Sequence, residues 1–152
     1  MSVTKKRISG GNKRTRTRIL LVEDHLALAS LRSVYLVGQG YEVICAADGQ
    51  QAQRLIESEP FNVVVTDSTL PIRSGWEVAR FAKRKGVPVI LSSGWPVRMN
   101  PDQVAAGGVD FLCPKPCSLD QLLSVIEQAL KPRRKRQRCV NQVPKPQYQG
   151  PG

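Results

Sequence analysis

The chain has 152 residues, 41% of them hydrophobic, so it is long enough for one globular domain with a buried core. No apolar stretch approaches the roughly 20 residues that a membrane-spanning helix requires, and the apolar run 19–22 is too short for the core of a signal peptide. We therefore expect a cytoplasmic protein. Neither the spacing of its four cysteines nor its single histidine, His25, suits a zinc site, so we expect the cysteines to be reduced thiols.

The net charge of +11 is concentrated at the two ends of the chain. Residues 1–18 and 131–152 each hold seven Lys or Arg and no acidic residue, whereas residues 19–130 hold nine basic and twelve acidic residues, a balance of −3. Both ends are rich in Gly, Pro, Asn and Gln and poor in large apolar residues. This composition predicts a folded domain over 19–130 between two disordered basic arms, 1–18 and 131–152.

Strands and helices alternate in the first half of the predicted domain. A strand is predicted at 18–23, and the helix after it ends where Gly38 interrupts the pattern. A second strand is predicted at 41–45, and the helix that follows stops before Pro60. The apolar, β-branched run that comes next predicts a third strand at 62–67.

The same alternation continues through the second half. The third and fifth helices each begin with a capping box, in which Ser is followed three residues later by Glu or Gln: Ser74 with Glu77, and Ser118 with Gln121. The other predicted elements are a strand at 88–92, a short helix at 101–106 and a strand at 109–113. Five strands alternating with five helices predict a doubly wound α/β domain with right-handed crossovers.

Polar side chains follow the apolar runs of four of the predicted strands, at or just after the carboxyl end of each strand. They are Glu23 and Asp24 after strand 1, Asp67 after strand 3, Ser93 after strand 4 and Lys115 after strand 5. Ligands bind at this edge of an open parallel sheet, and three clustered carboxylates attract a hard cation such as Mg²⁺. A hydroxyl and a lysine beside the metal suit an anion. The sequence therefore predicts a pocket for Mg²⁺ and a phosphoryl group.

In these residues the chain resembles the receiver domain of two-component response regulators. The resemblance covers 19–130 and rests on four motifs in the right order: Ile19-Leu20-Leu21-Val22-Glu23-Asp24, Asp67-Ser68-Thr69-Leu70-Pro71 with Gly75, Ser93-Gly94, and Lys115-Pro116. It implies a flavodoxin-like parallel sheet of strand order 2-1-3-4-5 and a single-domain regulator similar to the chemotaxis regulators.

Asp67 is the expected phospho-acceptor. A carboxylate attacks phosphorus effectively only when its charge is neutralised and the donor is held in line. Glu23 and Asp24, together with Asp67, are expected to hold Mg²⁺, and the resemblance adds the backbone carbonyl of Thr69 as a ligand.

Four further residues near the expected acceptor receive an interpretation. Lys115 is expected to pair with the acceptor carboxylate and then with a phosphoryl oxygen, and Ser93 to donate a hydrogen bond to another phosphoryl oxygen. Trp95, two residues after Ser93, is predicted either to anchor its loop or to cover the phosphoryl site. His25 is interpreted as a loop residue rather than a metal ligand.

The resemblance implies a phosphoryl-accepting signalling domain rather than an enzyme that turns over substrates. Its donor would be a sensor histidine kinase or a histidine phosphotransfer protein, and its output face would comprise helix 4, strand 5 and helix 5. A phosphatase of the aspartate-nucleophile class is disfavoured, because Thr69 occupies the place of the second acid. The alternative is a protein whose basic arms bind nucleic acid or another polyanion without sequence specificity, with the receiver fold as a scaffold.

Overall fold

A computed structural model of the chain describes residues 15–94 and 100–132. The predicted basic arms lie almost entirely outside these residues, and so does Trp95. The five strands are β1 (Arg18–Val22), β2 (Glu42–Ala46), β3 (Val63–Asp67), β4 (Val89–Ser93) and β5 (Phe111–Pro114). The five helices are α1 (Leu26–Gly38), α2 (Gly49–Ser58), α3 (Gly75–Arg84), α4 (Pro101–Ala106) and α5 (Leu119–Ala129).

The strands form one parallel sheet of order β2-β1-β3-β4-β5, which confirms the predicted topology. The central strand, β3, is buried along its whole length. Because β1 and β4 both pair with β3, the residues that follow these three strands meet at the same edge of the sheet.

Side chains alternate between the two faces of the sheet, as the pleat requires. Leu20 and Val64 pack on the face covered by α2, α3 and α4, whereas Leu21 and Val65 pack on the face covered by α1 and α5. Their burial on both faces explains why the strands read as continuous apolar runs. Among the described residues, no helix is long and apolar enough to cross a membrane.

The predicted helix starts agree with the structure, because both capping boxes form: Ser74 with Glu77 on α3, and Ser118 with Gln121 on α5. The predicted start of strand 5 at Val109 is wrong by two residues. Val109 closes the turn after α4 by donating its backbone N–H to the carbonyl of Val104, at 3.1 Å. β5 therefore begins only at Phe111.

Candidate functional site

Three carboxylates meet at the carboxyl ends of β1 and β3. Glu23, Asp24 and Asp67 each offer an oxygen, and these oxygens lie within 4.8 Å of one another. Glu23 and Asp67 are 3% and 7% exposed, whereas Asp24 faces solvent. The predicted acidic pocket is therefore present, with one side open to an incoming ligand.

A lysine from the opposite side of the pocket contacts Asp67. The Nζ of Lys115 donates a hydrogen bond to Oδ1 of Asp67 at 2.9 Å. The lysine side chain is 34% exposed. The backbone N–H of Lys115 also donates to the carbonyl of Ser93, at 2.9 Å. Ser93 ends β4 and is 5% exposed. Asp67, Lys115 and Ser93 thus lie together, as the sequence predicts.

The loop between β3 and α3 packs tightly behind Asp67. The backbone N–H of Gly75 donates to the carbonyl of Ser68 at 3.0 Å, and a Cβ at position 75 would overlap the carbonyl of Asp67. Only glycine permits this approach. Thr69, the predicted carbonyl ligand, is exposed on this loop two residues after Asp67. Ile72 adopts a φ of 69°, which is unusual for a β-branched residue.

Glu23 is the most deeply buried carboxylate of the pocket. Burial raises its pKa above the ordinary value of 4.5, and the nearby charge of Asp67 raises the pKa further. The backbone N–H of His25 lowers the pKa by donating to Oε2 at 3.1 Å, and so do the charges of Lys115 and Arg32. Its other oxygen, Oε1, is buried and has no hydrogen-bond partner within the described ranges 15–94 and 100–132. Such an oxygen beside two more carboxylates fits a hard cation such as Mg²⁺.

His25, interpreted from the sequence as a loop residue, lies between β1 and α1 and is the N-cap of α1. Its Nδ1 accepts the backbone N–H of Leu28 at 3.3 Å. The same residue orients Glu23 through its own backbone N–H. The start of α1 and the geometry of the acidic pocket are thereby linked.

Arg32 is a member of the site that the sequence interpretation missed. It lies on α1, is 4% exposed, and places Nη1 at 3.6 Å from Oε1 of Glu23. The spacing to Ala29 and Leu36, which are also buried, contained the signal: positions 29, 32 and 36 share the inner face of a helix.

The expectation of reduced thiols is wrong for two cysteines. Cys113 and Cys117 form a disulfide, with their Cα atoms 6.3 Å apart. The bridge spans the turn that carries Lys115. Cys45 is a free thiol, as expected, and it is exposed. Cys139 lies outside the described residues.

Comparison with known proteins identifies the family. The sequence model of the response regulator receiver domain family matches residues 19–127. The chain belongs to this family. As a receiver domain it is a signalling domain of two-component systems, and Mg²⁺ binding at an acidic site and phosphorylation are features of the family.

The regulatory protein VirG of Agrobacterium tumefaciens is 34% identical over 118 residues. The match covers 76% of this chain and 44% of VirG, so the chain corresponds to less than half the length of that relative.

Solved structures support the same receiver fold. A CheY-like receiver domain from Methanospirillum hungatei has a TM-score of 0.71 and 29% identity, and the match covers 82% of this chain and 98% of that one. The receiver domain of a sensor histidine kinase from Pseudomonas aeruginosa has a TM-score of 0.68 and 24% identity, over 76% and 98% of the two chains. That domain holds a magnesium ion in its active-site cleft.

Proposed function

We propose that this receiver domain accepts a phosphoryl group on Asp67 from a phosphohistidine donor. The observation that carries the proposal is the hydrogen bond of 2.9 Å from Lys115 to Oδ1 of Asp67, in a pocket where three carboxylates lie within 4.8 Å. Asp67 is the carboxylate that both the lysine and the acidic pair approach. Lys115 compensates its charge directly, and a cation held by the acidic pair would compensate it further.

The transfer is a displacement at phosphorus. A carboxylate oxygen of Asp67 forms a bond to phosphorus while the bond from phosphorus to the imidazole nitrogen of the donor breaks, and the electron pair of that bond leaves with the imidazole. Lys115 balances the charge on the phosphoryl oxygens and on the acceptor. Gly75 and Ser68 fix the backbone of Asp67 during the transfer, because their hydrogen bond holds the loop against its carbonyl.

Glu23, Asp24 and Asp67 would hold Mg²⁺, with the carbonyl of Thr69 as a fourth ligand. Support comes from the donor set, from Oε1 of Glu23, which accepts no hydrogen bond from the described residues, and from the magnesium ion in the cleft of the Pseudomonas domain. A bound Mg²⁺ would supply charge neutralisation between the carboxylates and the phosphoryl oxygens.

The output of the proposed reaction passes to the face formed by α4, β5 and α5. Ser93 and Lys115 end β4 and begin the turn after β5, and a backbone hydrogen bond of 2.9 Å joins them. A phosphoryl group that draws the hydroxyl of Ser93 inward therefore pulls on both strands. The displacement reaches the helices that pack on these strands.

The exposed side of α1 is the proposed docking surface of the donor. Leu26, Leu31, Val34 and Val37 are 51–75% exposed, and they lie on the side of the helix away from the core. The helix starts two residues after Asp24, so a partner seated there reaches the open side of the pocket. Its partner would be a sensor histidine kinase or a histidine phosphotransfer protein in the cytoplasm.

Docking and chemistry are separable by experiment. Val34→Asp places a charge on α1 without touching the pocket, and Glu57→Lys changes charge on the exposed side of α2 as a control. Val34→Asp should slow transfer from a phosphohistidine protein and leave transfer from acetyl phosphate unchanged. Equal slowing with both donors would contradict docking on α1.

The acceptor itself is mapped by chemical reduction. Borohydride converts an aspartyl phosphate to homoserine, so peptide mapping after phosphorylation marks the modified residue. The proposal expects homoserine at position 67. Homoserine at position 24 or elsewhere would contradict it.

The charge distribution supports a second, compatible function. The arms carry all of the positive excess, whereas residues 19–130 have a balance of −3. We infer that the full-length protein binds polyanions through the arms. Replacing Lys and Arg by Gln within 1–14 and 133–152 should abolish retention on DNA. For the unchanged chain, a plot of the logarithm of the binding constant against the logarithm of the salt concentration should have a slope of about −0.9 per phosphate contacted. Undiminished retention by the neutralised variant would contradict this inference.

A further inference from the structure

A second cation, Arg32, contacts the acidic pocket through a carboxylate other than the one that Lys115 contacts. Nη1 of Arg32 is 3.6 Å from Oε1 of Glu23, and the two side chains are 5% and 2% exposed. Lys115 contacts Asp67 instead, and its side chain is 34% exposed. The pocket therefore has an inner cation that is locked in the core and an outer cation that borders solvent.

Arg32 changes the charge that an incoming metal ion meets. The three carboxylates with Lys115 alone carry a net charge of −2, and Arg32 reduces it to −1. Arg32 already pairs with Glu23 in the metal-free protein, so this reduction precedes metal binding. Because both partners are buried, solvent screens the charge of Arg32 only weakly.

The ion pair with Arg32 leaves Oε1 of Glu23 able to accept a further ligand. At 3.6 Å the contact is an ion pair rather than a hydrogen bond, and among the described residues Oε1 has no hydrogen-bond partner. Glu23 is thus compensated in the metal-free protein, while Oε1 keeps lone pairs for a stronger ligand. A buried carboxylate with no cation nearby would strongly destabilise the fold.

We propose that Arg32 is a resident counter-ion of Glu23 that stabilises the metal-free pocket and weakens its affinity for Mg²⁺. This rests on the proposed Mg²⁺ site. Arg32 is a positioning residue, because it acts on the metal through Glu23. Its two effects have opposite signs: the fold gains stability without metal, and the site needs a higher concentration of Mg²⁺ to fill.

Arg32→Met tests both effects, since Met has a similar reach, favours helix and carries no charge. We expect Mg²⁺ to bind about tenfold more tightly to this variant in titration calorimetry, which corresponds to about 1.4 kcal/mol. In EDTA its melting temperature should fall below that of the wild type, and saturating Mg²⁺ should recover most of the loss. Arg80→Met, which removes the same charge from the exposed side of α3, should change neither quantity.

Arg32→Gln keeps a hydrogen-bond donor for Glu23 without the charge, and it makes the same test if Arg32→Met does not fold. Tighter Mg²⁺ binding by either variant supports the proposal. If the wild type binds Mg²⁺, unchanged or weaker Mg²⁺ binding by a folded variant overturns the proposal. Absence of Mg²⁺ binding by the wild type would instead overturn the proposed metal site.

A double-substitution cycle confines the effect to the pair. In a Glu23→Gln background, Arg32→Gln should no longer tighten Mg²⁺ binding by about tenfold, because the ligand through which Arg32 acts is gone. A gain of the same size in both backgrounds would show that Arg32 does not act through Glu23.

Discussion

Lys115 donates a hydrogen bond of 2.9 Å to Oδ1 of Asp67 although 48 residues separate them in the chain. The contact spans the sheet from the end of β5 to the end of β3, across β4. The same lysine borders solvent, with 34% of its side chain exposed, so it can follow a ligand that enters the pocket. Acceptor and cation are thus matched before any phosphoryl group arrives.

Loss of the Lys115 charge should slow phosphorylation more than it affects folding. For Lys115→Met we expect the rate of transfer from acetyl phosphate to fall by about 100-fold, as is typical when one donor to a developing anion is removed. The measurement is the time course of the phosphoryl adduct by intact mass. Lys85→Met removes the same charge from an exposed site after α3 and should retain the wild-type rate. A wild-type rate in Lys115→Met would contradict the role of this residue.

The glycine behind Asp67 should be intolerant of a side chain. Because a Cβ at position 75 would overlap the carbonyl of Asp67, Gly75→Ala must displace the acceptor or its loop, at a cost of about 2–3 kcal/mol in the free energy of unfolding. Denaturant unfolding measures this cost. Gly38→Ala is the matched control, since a Cβ there meets no atom within 4 Å and should be nearly neutral. Equal effects of the two substitutions would be inconsistent with close packing at position 75.

The stability of the metal-free protein should depend on pH through Glu23. Its pKa is raised in the folded state, mainly by burial, so the folded state binds more protons than the unfolded state above the ordinary value of 4.5. The contribution of Glu23 to stability is then present below this value and is lost as pH rises through the raised pKa. In EDTA, the stability of the wild type relative to Glu23→Gln should therefore fall with rising pH across this window. A relative stability that rises with pH would refute the assigned direction of the shift.

The disulfide is directly measurable. Protein purified without reductant should yield a peptide in which Cys113 and Cys117 are joined, while an alkylating reagent labels Cys45. Reduction should lower the free energy of unfolding by about 2 kcal/mol, from the loop entropy of a five-residue ring. The variant with Ala at both positions should not respond to reductant. Alkylation of both Cys113 and Cys117 in unreduced protein would rule the bridge out.

The sequence predicted the fold and the site to the extent that both follow from local patterns. The apolar strand runs predicted that Asp67, Ser93 and Lys115 lie at one edge of the sheet, and the structure brings them together there because a parallel sheet gathers its carboxyl ends. The start of β5 was missed because Val109 is apolar and β-branched, as strand residues are. Its backbone N–H instead closes the turn after α4.

Two partners in the site could not be derived in the same way. Arg32 was missed because a charged residue on a helix is usually exposed, and only its spacing from Ala29 and Leu36 indicates otherwise. The pairing of Cys113 with Cys117 depends on how the turn around Lys115 folds back. Two cysteines four positions apart in sequence can have many different Cα–Cα distances, and only some of these permit a disulfide.

Phosphorylation of Asp67 is tested most directly by intact mass. The wild type and Asp67→Asn are incubated with acetyl phosphate, each with Mg²⁺ and with EDTA. We predict a single phosphoryl adduct on the wild type that requires Mg²⁺, and none on Asp67→Asn, because an amide is not a nucleophile toward phosphorus. An adduct of the same size on Asp67→Asn, or a wild type that stays unmodified with Mg²⁺ and acetyl phosphate, would contradict the account.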